Sequence, residues 1–319
     1  MPTRNIKVAA VQVECDIGQT TQNLDRAGAL VEQAAKLGAC VVVLPELTPG
    51  GYVLTEEIWN TAEPFDGVSV SWLKRTARRF DIYLGMSFLE AEGPDFFNTF
   101  VLATPVGSIA GRVRKNPPAS AEAYFFRAGS DAHTIDTELG RFGVGICYEA
   151  LLYDRILEHH QASVDLVLYP MTAGTPTPVF PIRQKDAVAF DRMLQGLAAH
   201  HAKTLGVPTV MANKCGPLVT AVPGGIPTQR TRFPGLSTIV DSDGTVKSQL
   251  GGEQGIAIAE VSLNPGRKVS AVPQHHGRWA LPVPWFSFLF PLAASIGRRA
   301  YGRSHARAAR ALAVGHADA

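Results

Sequence analysis

Short apolar runs alternate with stretches of helical spacing through most of this chain. Residues 6–13 predict a buried strand, and residues 23–37 have the apolar spacing of an amphipathic helix. Residues 40–44 are entirely apolar, which is typical of a short strand that is covered on both faces. Pro45 ends that run and Glu46 follows it. The start of the chain therefore predicts a strand–helix–strand unit.

The same alternation recurs as far as residue 261. Further helices are predicted over residues 68–80, 153–161 and 186–205. Further strands are predicted over residues 82–88, 98–103, 108–114, 141–147, 166–169, 208–212, 236–241, 246–250 and 256–261. Pro170 is expected to end the strand before it, Asp243-Gly244 predicts a hairpin turn, and the Pro/Gly-rich residues 217–234 are a candidate lid. This pattern predicts an α/β protein with no linker that divides it into two domains.

The composition narrows the class of protein. The chain has 319 residues, 46% of them hydrophobic, which is enough for a large core, and its net charge of +2 gives no case for a nucleic-acid partner. Its four cysteines are dispersed and lack the spacing of zinc ligands. Because the N-terminal residues lack the apolar segment of a signal peptide, we expect a cytoplasmic protein with reduced thiols.

Three positions could carry chemistry on chemical grounds alone. Cys147 ends a predicted strand among small residues, although a lone cysteine is more often an inert buried thiol. Glu46 follows an apolar strand, where burial would make its carboxylate a usable base unless it merely caps a helix or forms a surface ion pair. Lys115 closes another strand, where an ammonium could stabilise an oxyanion or could simply be surface charge. Each residue alone is weak evidence for a site.

Together with their surroundings, these residues resemble the nitrilase (carbon–nitrogen hydrolase) superfamily over residues 6–263. The resemblance is specific because the landmarks occur in the family's order and spacing. They are Leu44-Pro45-Glu46-Leu47 with Gly51-Tyr52, Asn98-Thr99 with Gly107, Gly111 and Arg114-Lys115, Glu122 with Phe126 and Gly129, Gly143-Val144-Gly145-Ile146-Cys147-Tyr148-Glu149, Tyr169-Pro170, Ala212-Asn213 with Gly216, and Gly235-Leu236-Ser237 with Asp241 and Gly244.

The resemblance implies a role for each matching residue. Cys147 would attack the substrate carbon, Glu46 would act as general base, and Lys115 would hold the oxyanion together with the backbone N–H of Tyr148. Glu122 would position Lys115 and the substrate. No metal or organic cofactor is implied. The segment Asn116-Pro117-Pro118 departs from the commoner family sequence after the lysine, so we expect a different local geometry and substrate choice there.

The resemblance also implies a fold and an organisation. The fold would be a four-layer αββα sandwich over residues 1–265, followed by a C-terminal extension over residues 266–319. The substrate would be a small amide-like molecule, and the protein would form a homodimer or a larger homo-oligomer. The residues expected to contact the substrate are Tyr52, Tyr148, Met171 and Thr172.

The residues after Cys147 bear on the reaction. Tyr148-Glu149 favours an amidase or N-carbamoyl hydrolase over a nitrilase, which usually carries Trp-Glu at these positions. An N-acyltransferase branch also uses Tyr-Glu, but its members have several N-terminal membrane spans that we do not expect in this chain. A scaffold protein that keeps the fold without catalysis is a further alternative, which the intact Glu46, Lys115 and Cys147 argue against.

The C-terminal extension has an unusual composition. Residues 279–297 carry no charge but contain three prolines, which disfavours a transmembrane helix even though the length is close to sufficient. Pro291 is expected to interrupt a helix over residues 285–296, and residues 298–313 predict a basic helical segment. Two interpretations stay open. The extension either covers an apolar surface of a neighbouring subunit, which we favour, or contacts an anionic membrane surface.

Overall fold

Two six-stranded sheets and six α-helices form the framework of the protein. The computed structural model describes residues 3–224 and 226–316. The helices are α1 Thr20–Lys36, α2 Val68–Phe80, α3 Tyr153–Gln161, α4 Gln184–Leu205, α5 Phe290–Arg303 and α6 His305–His316. The strands are β1 Arg4–Gln12, β2 Val41–Val43, β3 Tyr83–Glu92, β4 Asp95–Ala103, β5 Ile109–Arg114, β6 Thr134–Thr137, β7 Gly140–Val144, β8 Leu166–Met171, β9 Thr209–Asn213, β10 Cys215–Val222, β11 Ile226–Pro234, β12 Thr238–Val240, β13 Val246–Gln249 and β14 Gly255–Leu263. Short 3-10 helices cover Glu56–Thr61, Ser120–Tyr124, Cys147–Leu151, Pro265–Arg267 and Trp285–Leu289.

The two large sheets have related topologies. The first has the strand order β14-β1-β2-β3-β4-β5, and the second has the order β13-β12-β9-β8-β7-β6. Three central strands are parallel in each, β1, β2 and β3 in the first and β7, β8 and β9 in the second. The helices α1 and α2 connect the first trio, and α3 and α4 connect the second, as parallel strands require.

Alternate residues of the central strands pack against different layers. Ala9 and Val11 of β1 lie in a cluster with side chains of α1 and α2, whereas Val8 and Ala10 lie in the cluster that also holds the second sheet. Ile156 of α3 and Leu197 of α4 belong to that second cluster. The order of layers is therefore helices, sheet, sheet, helices, and the predicted αββα sandwich is confirmed.

Two local predictions are corrected. Pro170 lies inside β8 and is aligned with Ala212 of β9, rather than ending the strand. The pairing of β8 with β7 stops at Leu168, and the proline nitrogen points to the side where β7 has already ended, so no ladder hydrogen bond is lost. The strand expected over 141–147 ends at Val144. The described part of the candidate lid, residues 217–224 and 226–234, belongs to the antiparallel hairpin of β10 and β11, and its role as a lid stays a prediction.

The C-terminal extension folds back onto the body of the same chain. Pro291 does not interrupt α5, because it lies in the first turn, where its missing N–H costs no helical hydrogen bond. The Tyr301 hydroxyl accepts a hydrogen bond from Phe96 N at 2.9 Å, and Arg307 Nη1 lies 2.6 Å from Asp95 Oδ1. Among the described residues, none of the helices combines the length and the hydropathy that a bilayer-spanning segment needs.

Candidate active site

The candidate catalytic residues lie where strands of both sheets end. Glu46 follows β2, Lys115 follows β5, and Thr172 follows β8. In the first sheet, β5 runs in the same direction as β2, so Glu46 and Lys115 emerge at the same edge. The backbone N–H of Glu46 donates to the carbonyl of Met171 at 3.3 Å, which joins the two sheets at this edge. Sites of α/β proteins commonly lie outside such strand ends.

Lys115 lies between two carboxylates. Its Nζ is 2.6 Å from Glu46 Oε1 and 2.7 Å from Glu122 Oε2. The side chains of Lys115 and Glu46 are fully buried, and Glu122 is 2% exposed. Buried charges are stable only when they are paired and hydrogen-bonded. The cluster therefore fixes the ammonium and both carboxylates in one arrangement.

Further donors hold the two carboxylates. Glu46 accepts from Asn98 Nδ2 at 2.7 Å and from the Thr172 hydroxyl. Glu122 accepts from the Tyr52 hydroxyl at 3.0 Å and from the backbone N–H of Ala119 at 2.8 Å. The Thr172 hydroxyl thus orients Glu46, and the expected contact of Thr172 with substrate stays a prediction.

Cys147 opens a tight turn directly after β7. It has a positive φ of 52° and begins the 3-10 helix Cys147–Leu151. Such a backbone conformation is uncommon for a residue with a side chain and persists where surrounding contacts impose it. A Cβ on Gly145 would lie 2.4 Å from the ring of Tyr169, so the approach to this turn requires glycine.

Glu149 holds the turn at Cys147 in place through hydrogen bonds and ion pairs. Its carboxylate accepts from Ile146 N at 2.7 Å and from Asn116 N at 2.9 Å. It also lies 3.0 Å from Arg155 Nη2 and 2.7 Å from His133 Nε2. Burial would raise the pKa of Glu149, but the neighbouring His133 and Arg155 lower it below its ordinary value. One buried carboxylate thus ties the Cys147 turn to the segment that follows Lys115.

The protonation states follow from burial and charge. Burial, reinforced by Glu46 and outweighing the ammonium of Lys115, raises the pKa of Cys147, so the resting sulfur is a thiol. Burial alone would lower the pKa of Lys115, but Glu122 and Glu46 raise it above the ordinary lysine value. Burial also raises the pKa of Glu122 against the opposing effect of Lys115. A base is therefore needed to generate a thiolate.

A cavity of about 290 Å³ opens onto the sulfur. Cys147 and Glu122 line it, whereas Glu46 and Lys115 lie behind them. All four residues expected to contact substrate also line it, namely Tyr52, Tyr148, Met171 and Thr172. The hairpin of β10 and β11 forms one side of the cavity through Leu218, Thr220 and Thr231.

Several contributors were missed from the sequence. Phe286 and Phe290 of the C-terminal extension line the cavity, although these aromatic residues were expected to contact another subunit or a membrane. Only the fold shows this contact, because 139 residues separate Phe286 from Cys147. Asn98 and Glu149 stood within recognised motifs, and their presence there was the available signal for a role near the site.

A family model described as carbon-nitrogen hydrolase matches residues 7–270. The citrullinase of Francisella tularensis is 28% identical over 219 residues, which cover 66% of this chain and 74% of that protein. The nitrilase of Pyrococcus abyssi is 29% identical over 175 residues, which cover 54% and 66%. The 2-oxoglutaramate amidase of Bacillus subtilis is 25% identical over 265 residues, which cover 82% and 93%.

Solved structures share the fold. The carbon–nitrogen hydrolase of Helicobacter pylori G27 superposes with a TM-score of 0.71 at 22% identity, covering 81% of this chain and 89% of that one. At 22% sequence identity, this similarity shows a shared fold and does not by itself show a shared activity. These relatives are named for reactions at different carbon–nitrogen bonds. The bond that this protein cleaves must therefore be inferred from its own site.

Proposed function

This chain belongs to the carbon–nitrogen hydrolase family, and we propose that it hydrolyses a small amide or N-carbamoyl compound through a thioester on Cys147. The observation that carries the proposal is the buried contact of Lys115 with both Glu46 and Glu122, next to a cysteine at the cavity wall. A carboxylate, an ammonium and a thiol in this arrangement supply a base, an oxyanion partner and a nucleophile.

Acylation begins with the thiol of Cys147. Glu46 takes the thiol proton as the sulfur forms a bond to the carbonyl carbon, and the carbonyl oxygen becomes an oxyanion. Lys115 and the backbone N–H of Tyr148 stabilise that oxyanion. When the tetrahedral intermediate collapses, the C–N bond breaks, and Glu46 returns its proton to the departing nitrogen. Ammonia or an amine leaves, and the acyl group stays on Cys147 as a thioester.

Deacylation consumes one water molecule. Glu46 takes a proton from the water as its oxygen attacks the thioester carbon. The C–S bond then breaks, and the sulfur recovers a proton from Glu46. The net reaction converts an amide and water into a carboxylic acid and an amine. The raised pKa of Cys147 supports this use of a general base, because the resting thiol must lose its proton during the attack.

Nitrile hydrolysis is the second candidate function. Its support is the similarity to the nitrilase of Pyrococcus abyssi, which is comparable to the similarity to the citrullinase. Amide or carbamoyl hydrolysis is preferred because Tyr148 follows the cysteine and lines the cavity where nitrilases usually carry tryptophan. An N-acyltransferase would use an amine in place of water, and a scaffold would need no thiol.

Ammonia release tests the proposal. Primary amides and nitriles with the same carbon chains are incubated with the wild type, Cys147→Ala and Cys40→Ala. Cys40 is a matched control, since it lies at the opposite end of β2 from Glu46. We expect amide turnover that falls roughly 10³-fold or more in Cys147→Ala and is unchanged in Cys40→Ala. Mass spectrometry of acid-quenched enzyme should show the added acyl group.

Three results would count against the proposal. Conversion of nitriles without turnover of amides would assign the protein to the second candidate function. Undiminished amide turnover by Cys147→Ala would remove the cysteine mechanism. A preference for an added amine over water as acyl acceptor would favour an acyltransferase.

A further inference from the structure

The cavity beside Cys147 has almost no charged lining. Among the described residues, Glu122 is the only lining side chain that carries a formal charge, and the lining has no arginine, lysine or histidine. Glu122 is already paired with Lys115 and with the Tyr52 hydroxyl. A charged group on a ligand would therefore find no free counter-ion there.

Much of the cavity wall is apolar and comes from separate parts of the chain. The helix α4 contributes Phe190 and Leu194, β10 contributes Leu218, and the C-terminal extension contributes Phe286 and Phe290. Phe190 and Phe286 contact each other, with ring centroids 6.1 Å apart. Together these rings and aliphatic side chains give the cavity a largely apolar wall.

Two threonines of the lining are committed to the protein itself, whereas the buried Tyr148 hydroxyl has no hydrogen-bond partner among the described residues. The Thr220 hydroxyl accepts from Leu54 N at 2.7 Å and donates to the carbonyl of Ala221 at 3.0 Å. The Thr175 hydroxyl donates to Asp191 at 2.7 Å. A carboxylate or ammonium bound here would lose its hydration and gain no counter-ion, and few free hydrogen-bonding groups would replace the lost water.

We propose that the natural substrate is an uncharged amide with an apolar acyl group, bound against Phe190, Leu194, Phe286 and Phe290. This inference rests on the proposed function and deepens it by naming the substrate class. The cavity volume of about 290 Å³ is at the small end of ligand sites, which suits a short aliphatic or arylalkyl acyl group. The lack of a free counter-ion disfavours N-carbamoyl amino acids, because their carboxylate would enter the same cavity.

A matched pair of amides tests the inference. Hexanamide and the monoamide of adipic acid have acyl chains of equal length and differ in a terminal methyl group or carboxylate. We expect kcat/KM to be roughly 10²-fold higher for hexanamide, because the carboxylate would be buried unpaired. Equal turnover of the two, or preference for the carboxylate, would overturn the substrate class while leaving amide hydrolysis intact.

Binding separates this inference from the proposed function. Calorimetry with the Cys147→Ala protein measures both amides without any chemical step. Tighter binding of hexanamide supports the apolar cavity whatever reaction the cysteine performs. Tighter or equal binding of the adipic monoamide overturns the inference independently of turnover.

Phe290 tests the contribution of the extension. Phe290 is half-buried and lines the cavity, whereas Phe288, two residues earlier, is 64% exposed and does not. We expect Phe290→Ala to reduce kcat/KM for hexanamide about 10-fold or more and to affect acetamide less, since acetamide has little apolar surface to bury against that ring. Phe288→Ala should leave both values unchanged. Equal effects of the two variants on hexanamide would overturn the assignment of Phe290.

Discussion

The ring of Phe290 lies 5.7 Å from the ring of Tyr148, centroid to centroid. Tyr148 directly follows the proposed nucleophile, and Phe290 opens the helix α5 of the C-terminal extension. The same tyrosine also contacts Trp279 of the extension at 6.0 Å. The extension therefore forms part of the wall around Cys147, and its sequence is expected to influence which substrate binds.

Thr172 is expected to act through Glu46. Replacing its hydroxyl in Thr172→Val removes a hydrogen bond to the Glu46 carboxylate and leaves the fold's apolar contacts in place. We expect kcat to fall about 10- to 100-fold with little change in KM, because a misoriented base slows the chemistry more than binding. Steady-state kinetics on hexanamide measure this. Thr172→Ser keeps the hydroxyl and should retain most activity, and an equal loss in both variants would contradict the positioning role.

Glu149 is expected to be a large contributor to stability. In Glu149→Ala, Arg155 and His133 lose their buried partner, and two backbone N–H groups lose their acceptor. We expect the free energy of unfolding to fall by about 3–5 kcal/mol. Urea denaturation followed by circular dichroism measures it. Glu260→Ala is the control, since Glu260 is exposed on β14, and a loss in Glu149→Ala no larger than in this control would reject the prediction.

His201 is expected to weaken the fold in mild acid. It is fully buried between the Tyr169 hydroxyl, which lies 2.8 Å from Nδ1, and the carbonyl of Ala150, which lies 2.7 Å from Nε2. Both contacts suit a neutral ring that accepts at Nδ1 and donates at Nε2. Burial, with a smaller effect of His200, lowers the pKa of His201 to about 3.

The sign of the pH effect follows from this lowered pKa. Below an ordinary histidine pKa of about 6.5 the unfolded chain binds a proton that the folded protein does not, so stability falls as pH falls from that value towards 3. Between pH 7 and pH 5 this amounts to about 2 kcal/mol. Urea denaturation at both pH values should show a smaller difference in His201→Gln than in the wild type. An unchanged difference would contradict the assignment.

Self-association stays a prediction, and α5 offers a surface on which to test it. Leu289, Leu292 and Ile296 are about half or more exposed along one side of the extension. We expect the wild type to sediment as a dimer or larger oligomer and the double variant Leu292→Glu/Ile296→Glu to shift towards the monomer. Leu37→Glu, at a similarly exposed position after α1, is the control.

A liposome-binding experiment tests whether the C-terminal extension contacts a membrane instead of another subunit. Sedimentation of the full chain with anionic liposomes, lost in the Leu292→Glu/Ile296→Glu variant, would favour a membrane contact over a subunit contact. A wild type that is monomeric and does not bind liposomes would exclude both interpretations.

Local sequence patterns predicted much of the fold. The bounds of α2 and α3 agree with the expected residues 68–80 and 153–161, because helical periodicity is a property of neighbouring positions. The strand β2 was recognisable since its run is apolar on both faces, and both faces are buried in the structure. Pro170 was misjudged because the cost of a proline in a strand depends on which neighbour its nitrogen faces, and that neighbour is β7.

The amino-acid sequence was enough to predict the order of the elements, the family resemblance and the residue types that can carry amide chemistry. These follow from periodicity, motif spacing and side-chain chemistry, which are encoded locally. The folded protein alone reveals that Lys115 contacts Glu46 across 69 residues of chain, that Thr172 orients this carboxylate, and that Phe290 lines the cavity. Those contacts depend on how strands of two sheets and a distant extension pack together, and no local pattern encodes the distances between them.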